Sequence, residues 1–219
     1  MPKKVFYLLS TDKQNQLIEA SYKVFGENTY FGTSINQLTE ALNITRTAFY
    51  YYFYNKEDLY DYLVSLQKDC FINNYIYDKN RKLDLEEIFI LLFDFLSTFK
   101  NTQMKNFFLD LFFNISYDRQ EELLEKLNNE NFSHFIGFDE YNVETKEEAM
   151  EIVYIMFSIV GREIFNYYQT SISLEDAKAS LIRKIDLIKY GIDKGEQNEE
   201  PKYRYSNWFD LWFKSRINW

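Results

Sequence analysis

Between residues 33 and 45 the chain reads TSINQLTEALNIT, and that stretch leaves the backbone few options. Ser34, with Gln37 three residues on, forms a capping box, which opens a helix. Ile35, Leu38, Ala41 and Leu42 then recur at helical spacing and mark one apolar face. Asn43 tolerates the left-handed turn that ends a helix, Ile44 can plug that turn from below, and Thr45 suits the N-cap of a further helix. Two helices joined by a three-residue turn make a helix-turn-helix.

The helix after the turn carries RTAFYYYF, residues 46–53. On a helical wheel Phe49, Tyr52 and Phe53 fall on the face toward the preceding helices. Arg46, Thr47, Tyr50 and Tyr51 point away. The outward set is one cation and three hydroxyls, donors suited to phosphate oxygens or base edges. Upstream, Thr11 with Gln14 offers another capping box, and Leu17, Ile18, Ser21, Val24 and Phe25 form an inward stripe that GENTYFG at 26–32 brings to an end. Downstream, Asn55 caps the next helix with Asp58 three residues later. Lys56 in its first turn opposes the helix dipole, yet can add its charge to the exposed amides beside a phosphate.

The rest of the chain is read as helical too, because six Gly and two Pro in 219 residues cannot punctuate an all-β fold. The expected class is all-α. A net charge of −9 excludes a general nucleic-acid coat, but the charge is unevenly spread. Residues 1–60 hold six basic and six acidic side chains and sum to zero, so the acidic excess belongs to the remainder. A neutral head on an acidic body suits a small DNA-reading module, since only the head can approach phosphate. One cysteine, Cys70, excludes an internal disulfide and fits a reducing compartment. The longest apolar stretch, IVYIMFSIVG at 152–161, stops at Arg162, short of the ~20 residues of a membrane span. A soluble, cytoplasmic protein is expected.

Residues 11 to about 62 resemble the DNA-binding head of the tetracycline-repressor (TetR) family of bacterial one-component regulators. The resemblance rests on Ile18-x-Ala20, Phe25, TSINQLTEALNIT, Tyr50-x-Tyr52-Phe53 and NKEDL at 55–59, in order and at the family's spacing. It implies a homodimer with two recognition helices in successive major grooves of a palindromic operator, and a larger helical ligand-sensing body. Carried over, Thr45, Arg46, Thr47, Tyr50 and Tyr51 face DNA, while Thr33 or Ser34, and Lys56, clamp its backbone. The chain departs from the family at Asn43, where Gly is usual, and at Thr47, Tyr51 and Tyr54, which bear on the operator sequence more than on the fold. The domains expected are 1–55 for the head, 56–195 for the regulatory and dimerisation body, and 196–219 for a linker and Trp-rich segment.

In the body, the helix from Lys56 runs on to about residue 77 with no flexible linker, a mechanical route from body to head. Segments 85–99 and 104–115 are apolar over more than half a helical circumference and are expected to be buried on two sides. Segment 121–132 is more polar, and 133–145 reads as a loop. Segments 146–169 and 173–191 suggest an antiparallel pair that needs a second apolar surface, which a symmetric copy supplies. Ile155, Ile159, Arg162, Leu181, Ile185 and Ile188 are the interface candidates, with Gly161 allowing close approach. An aromatic interior points to a small hydrophobic effector, with Phe93, Phe108, Phe112, Tyr117, Tyr154 and Phe157 as candidate pocket residues. Phe and Tyr at helical spacing are also what a packed core requires.

The tail places all three Trp in one segment, where Ser206 is expected to cap a helix carrying Trp208, Phe209, Leu211, Trp212 and Phe213. It suits docking on the body, a partner, or the membrane interface. An alternative reading is therefore a lipid- or membrane-surface-binding helical protein that uses this tail, with the head as a protein-interaction module. An enzyme is not expected. A single histidine, His134, allows no His-based metal cluster, no Gly-rich phosphate loop is present, and Glu pairs at 86–87, 121–122 and 147–148 fit solvated helix faces. No cofactor is implied.

Overall fold

The computed structural model describes residues 1–76, 83–128 and 145–191. Among these the fold is all-α, without strands. A single 3₁₀ turn, Phe6–Leu8, precedes α1 (Thr11–Gly32), α2 (Ile35–Ala41), α3 (Arg46–Tyr52) and α4 (Lys56–Phe71). A π-helical turn, Ile72–Ile76, extends α4. The body adds α5 (Leu85–Ser97), α6 (Met104–Phe113), α7 (Tyr117–Asn128), α8 (Lys146–Gln169) and α9 (Leu174–Tyr190). Met1–Ile185 form one compact unit. The Trp-rich tail, and residues 133–144 of the loop read at 133–145, lie outside the described residues.

Local chemistry sets most helix starts. Ser34 and Gln37 form the capping box of α2 reciprocally. Thr45 accepts from the Ala48 amide at 3.1 Å and Asn55 from the Asp58 amide at 2.7 Å. Asn43 sits at φ 50°, the left-handed turn between α2 and α3. At α1 the cap is Ser10, which accepts from Lys13, not Thr11. Thr11 is already helical, and the Gln14 side chain turns back and donates through Nε2 to the Leu9 carbonyl at 2.9 Å. The first helix also runs past Gly26. It breaks at Thr29, where φ is 64° and ψ 165°, and resumes for a short turn to Gly32.

One continuous core runs from Phe6 to Ile185. Gly26 of α1 lies on α6, where an added Cβ would stand 3.3 Å from the Phe107 amide. Phe107 packs between Tyr22 of α1 and Tyr60 of α4, at 4.9 and 5.2 Å between centroids. Phe112 of α6 occupies the space left by Gly161 of α8, so that glycine serves an approach within the chain. The Tyr168 hydroxyl of α8 donates to the Leu96 carbonyl of α5 at 2.5 Å. Glu163 of α8 pairs with Lys184 of α9, which runs back antiparallel after the turn at 170–173.

Candidate nucleic-acid interface

The residues of α3, with Phe53 at its C-cap, sort into two faces. Phe49 and Phe53 are fully buried and Tyr52 half-buried. Arg46, Thr47, Tyr50 and Tyr51 are exposed, the two tyrosines at 38% and 59%. The Tyr50 ring meets Phe49 edge-on at 5.5 Å, and the Arg46 guanidinium lies 5.9 Å from the Tyr50 centroid while reaching toward Asn36 Oδ1 at 3.4 Å. The guanidinium and the hydroxyls of Thr47, Tyr50 and Tyr51 thus share one solvated ridge. Thr45 opens it, its oxygen committed to the Ala48 amide. Ser34, also exposed, carries the capping box of α2.

Thr33 does not share this surface. It closes the short turn after Thr29, is buried, and its hydroxyl donates to the Thr29 carbonyl at 2.6 Å. Lys56 is half-buried, and its ammonium donates to the carbonyls of Tyr30 at 2.7 Å and Thr33 at 2.9 Å. Burial lowers its pKa from the ordinary lysine value, against the pull of Glu57 and Asp110. Lys56 therefore ties α4 to the entrance of α2, with part of its charge turned inward.

Behind this ridge stands a polar knot that the residue pattern did not single out. Asp110 of α6, 1% exposed, accepts from the Tyr30 amide at 2.8 Å and from the Tyr60 hydroxyl at 3.4 Å. Its other oxygen is buried and unpartnered. Burial raises the Asp110 pKa, opposed by the Tyr30 and Tyr60 hydrogen bonds and by Lys56. The Tyr30 hydroxyl donates to Glu57 at 3.1 Å, and burial and then that carboxylate push its pKa up. Arg119 of α7 pairs with Asp61 and Glu122, its guanidinium 5.7 Å from the Tyr30 centroid. Tyr30, Tyr50, Lys56 and Arg119 line a cleft of about 530 Å³. The signal available in the sequence was a lone acid inside the apolar run NFFLDLFF.

The candidate pocket residues do not line that cleft. Phe93 and Phe108 are buried in the core, Phe108 against Phe95, Phe99 and Phe107. Phe112 stacks on Phe157 at 4.5 Å, and Tyr154 is half-buried nearby in sequence on α8. The Tyr117 side chain lies outside what is described. Of the interface candidates, Ile155, Arg162 and Ile188 are exposed and Ile159 half-buried. Leu181 and Ile185 are buried within their own chain, so the inner stripe of α9 is core and cannot face a second copy in this conformation. Phe113 and Phe165, both exposed, pair edge-on at 5.3 Å.

Two family models match the chain. Residues 17–63 match that of bacterial regulatory proteins, tetR family, and residues 84–192 that of the tetracyclin repressor-like C-terminal domain. Together they cover more than two thirds of it. Among curated proteins the chain is similar to IcaR of Staphylococcus epidermidis, the biofilm operon icaADBC HTH-type negative transcriptional regulator. The two are 24% identical over 83 residues, which is 38% of this chain and 45% of IcaR, so the match spans less than half of that relative. Among solved structures it is similar to a transcriptional regulator from Aquifex aeolicus VF5, at 22% identity and a TM-score of 0.53 over 80% of this chain and 99% of that one. It is likewise similar to FadR from Bacillus subtilis in complex with stearoyl-CoA, at 18% identity and a TM-score of 0.55 over 82% and 99%. These structural likenesses show the fold.

Proposed function

The chain belongs to the tetR family of bacterial regulatory proteins, and we propose that it is a cytoplasmic repressor that binds a palindromic DNA operator as a homodimer. Residues 1–55 act as the reading head. Thr45, Arg46, Thr47, Tyr50 and Tyr51 face the major groove, with Ser34 and Lys56 at the flanking backbone. Residues 56–195 act as the regulatory and dimerisation body, and a small apolar effector enters beside Phe112, Tyr154 and Phe157 to release the operator. The observation that carries the reading is the sorting of α3, in which every apolar ring anchors the helix and the cation and hydroxyls are left to solvent.

Selecting bound fragments from random DNA tests it, and a palindrome with half-sites about one turn, ~34–36 Å, apart is the expected product. On that operator Tyr50→Phe weakens binding by about 1 kcal/mol per hydroxyl lost, the net value of one hydrogen bond. Unchanged affinity in both Tyr50→Phe and Arg46→Ala would remove α3 from the interface.

A further inference from the structure

The first sixteen residues precede the matched family segments, and they bear on the reading helix in a way those segments do not. A seven-residue helix has no stability of its own and leaves its last carbonyls without intrahelical partners. In α3 the Phe49 carbonyl accepts from the Phe53 amide at 2.8 Å. Two more, those of Tyr50 and Tyr52, are taken by one residue. The Lys3 ammonium donates to the Tyr50 carbonyl at 2.7 Å, and the Lys3 amide donates to the Tyr52 carbonyl at 2.8 Å. The same ammonium lies 4.4 Å from the Tyr54 centroid. A cation is thereby fixed at the negative end of the α3 dipole.

Lys3 is held there by its own neighbours. The Phe6 amide donates to the Lys3 carbonyl at 2.9 Å, and the Phe6 ring is fully buried against Phe53 at 5.3 Å, Tyr62 at 5.5 Å and Tyr52 at 6.4 Å. One end of this arm is anchored in the core, and the other grips the carbonyl of Tyr50, the residue whose ring projects from the reading face.

We propose that Lys3 is a positioning residue for DNA reading: anchored through Phe6, it fixes the last turn of α3 and so the direction of the Tyr50 side chain, without touching DNA itself. The proposal rests on the DNA-binding reading above. A phosphate contact and a brace differ in salt dependence, because each phosphate contact adds about 0.9 to the slope of log affinity against log salt.

The test is a double-mutant cycle in the full chain on the selected operator, read by fluorescence anisotropy at several salt concentrations. Lys3→Ala should weaken binding roughly five- to tenfold with the salt slope unchanged, by loss of a charge-assisted hydrogen bond to the helix. Tyr50→Phe should then lose most of its effect in the Lys3→Ala background, since a ring no longer aimed has little to lose. Lys3→Arg should restore both affinity and coupling. If Lys3→Ala melts too low to assay, Lys3→Met, which keeps the aliphatic stem but donates nothing to the Tyr50 carbonyl, supplies the same cycle. Additive losses, or wild-type affinity in the variant, overturn the proposal. A salt slope reduced by about two per dimer makes Lys3 a phosphate contact and also overturns it. If the wild-type chain selects no DNA, the regulator reading fails, and the role of Lys3 fails with it.

Discussion

Replacing Asp110 by alanine removes the acceptor of a buried main-chain N–H, that of Tyr30, 80 residues away in sequence. A hydrogen bond to a charged group is worth ~1.5–3 kcal/mol, and the stranded donor keeps its desolvation cost. The Tyr60 bond at 3.4 Å adds little. Against the loss stands the relief of a carboxylate that burial already disfavours, which puts the net near the lower end, ~2 kcal/mol. For a chain of this size that is ~4–8 °C in melting temperature. Asp110→Asn keeps an oxygen for the Tyr30 amide and should lose less. It also changes the pH dependence. The folded-state pKa of Asp110 is raised, so the folded chain holds that proton more tightly than the unfolded chain. Stability is therefore lost as pH rises from the ordinary Asp value, ~3.9, through the raised one, and the cost is constant above it. Asparagine does not titrate, so the Asn variant should gain on wild type across that window and then level off. An alanine variant melting within ~1 °C of wild type, or an Asn-minus-wild-type difference flat with pH, would refute the assignment.

At Gly161 an added Cβ would lie 2.4 Å from Phe112 Cδ1 and 2.8 Å from Cγ, the base of the ring and not its mobile end. Gly161→Ala should therefore lose stability in urea by about 1 kcal/mol, overpacking of ~1–3 exceeding a helix-propensity gain of ~1, and Phe112→Leu in the same chain should recover it. Ile155, 49% exposed on α8, lies on the face assigned to the second copy. Ile155→Glu should halve the mass seen by light scattering with helical circular dichroism unchanged, and a persisting dimer would move the interface elsewhere.

The head was largely legible because its signals are local. Ser34, Asn43, Thr45 and Asn55 act within four residues of themselves, and a wheel is enough to separate Phe49 from Tyr50. What stayed hidden depends on partners distant in sequence. Apolar periodicity marks Leu181 and Ile155 alike, since it records burial without saying whether the cover is the same chain or another. Gly161 looked like room for a second copy, whereas the ring that fills it comes from α6. Thr29 gave no warning, because a β-branched residue at positive φ contradicts its own preference and is explained only by what surrounds it.

That surrounding can be interrogated directly. A non-glycine residue at φ 64° and ψ 165° carries strain of order 1–3 kcal/mol and persists only where neighbours impose it. Within the head, Thr33 and Gly32 bond to Thr29, and Lys56 bonds to the carbonyls on either side of the turn. Asp110 alone among these partners comes from α6, and it holds the amide next to the strained residue. If its carboxylate maintains the strain, removing it lets Thr29 relax, and part of the lost bond energy is returned. Glycine at 29 has no strain to return. Asp110→Ala should therefore cost more in a Thr29→Gly background than in wild type, by the strain itself, about 1–3 kcal/mol in a denaturation cycle. Additive losses would mean that the head bends itself at Thr29 and that α6 merely rests against the bend.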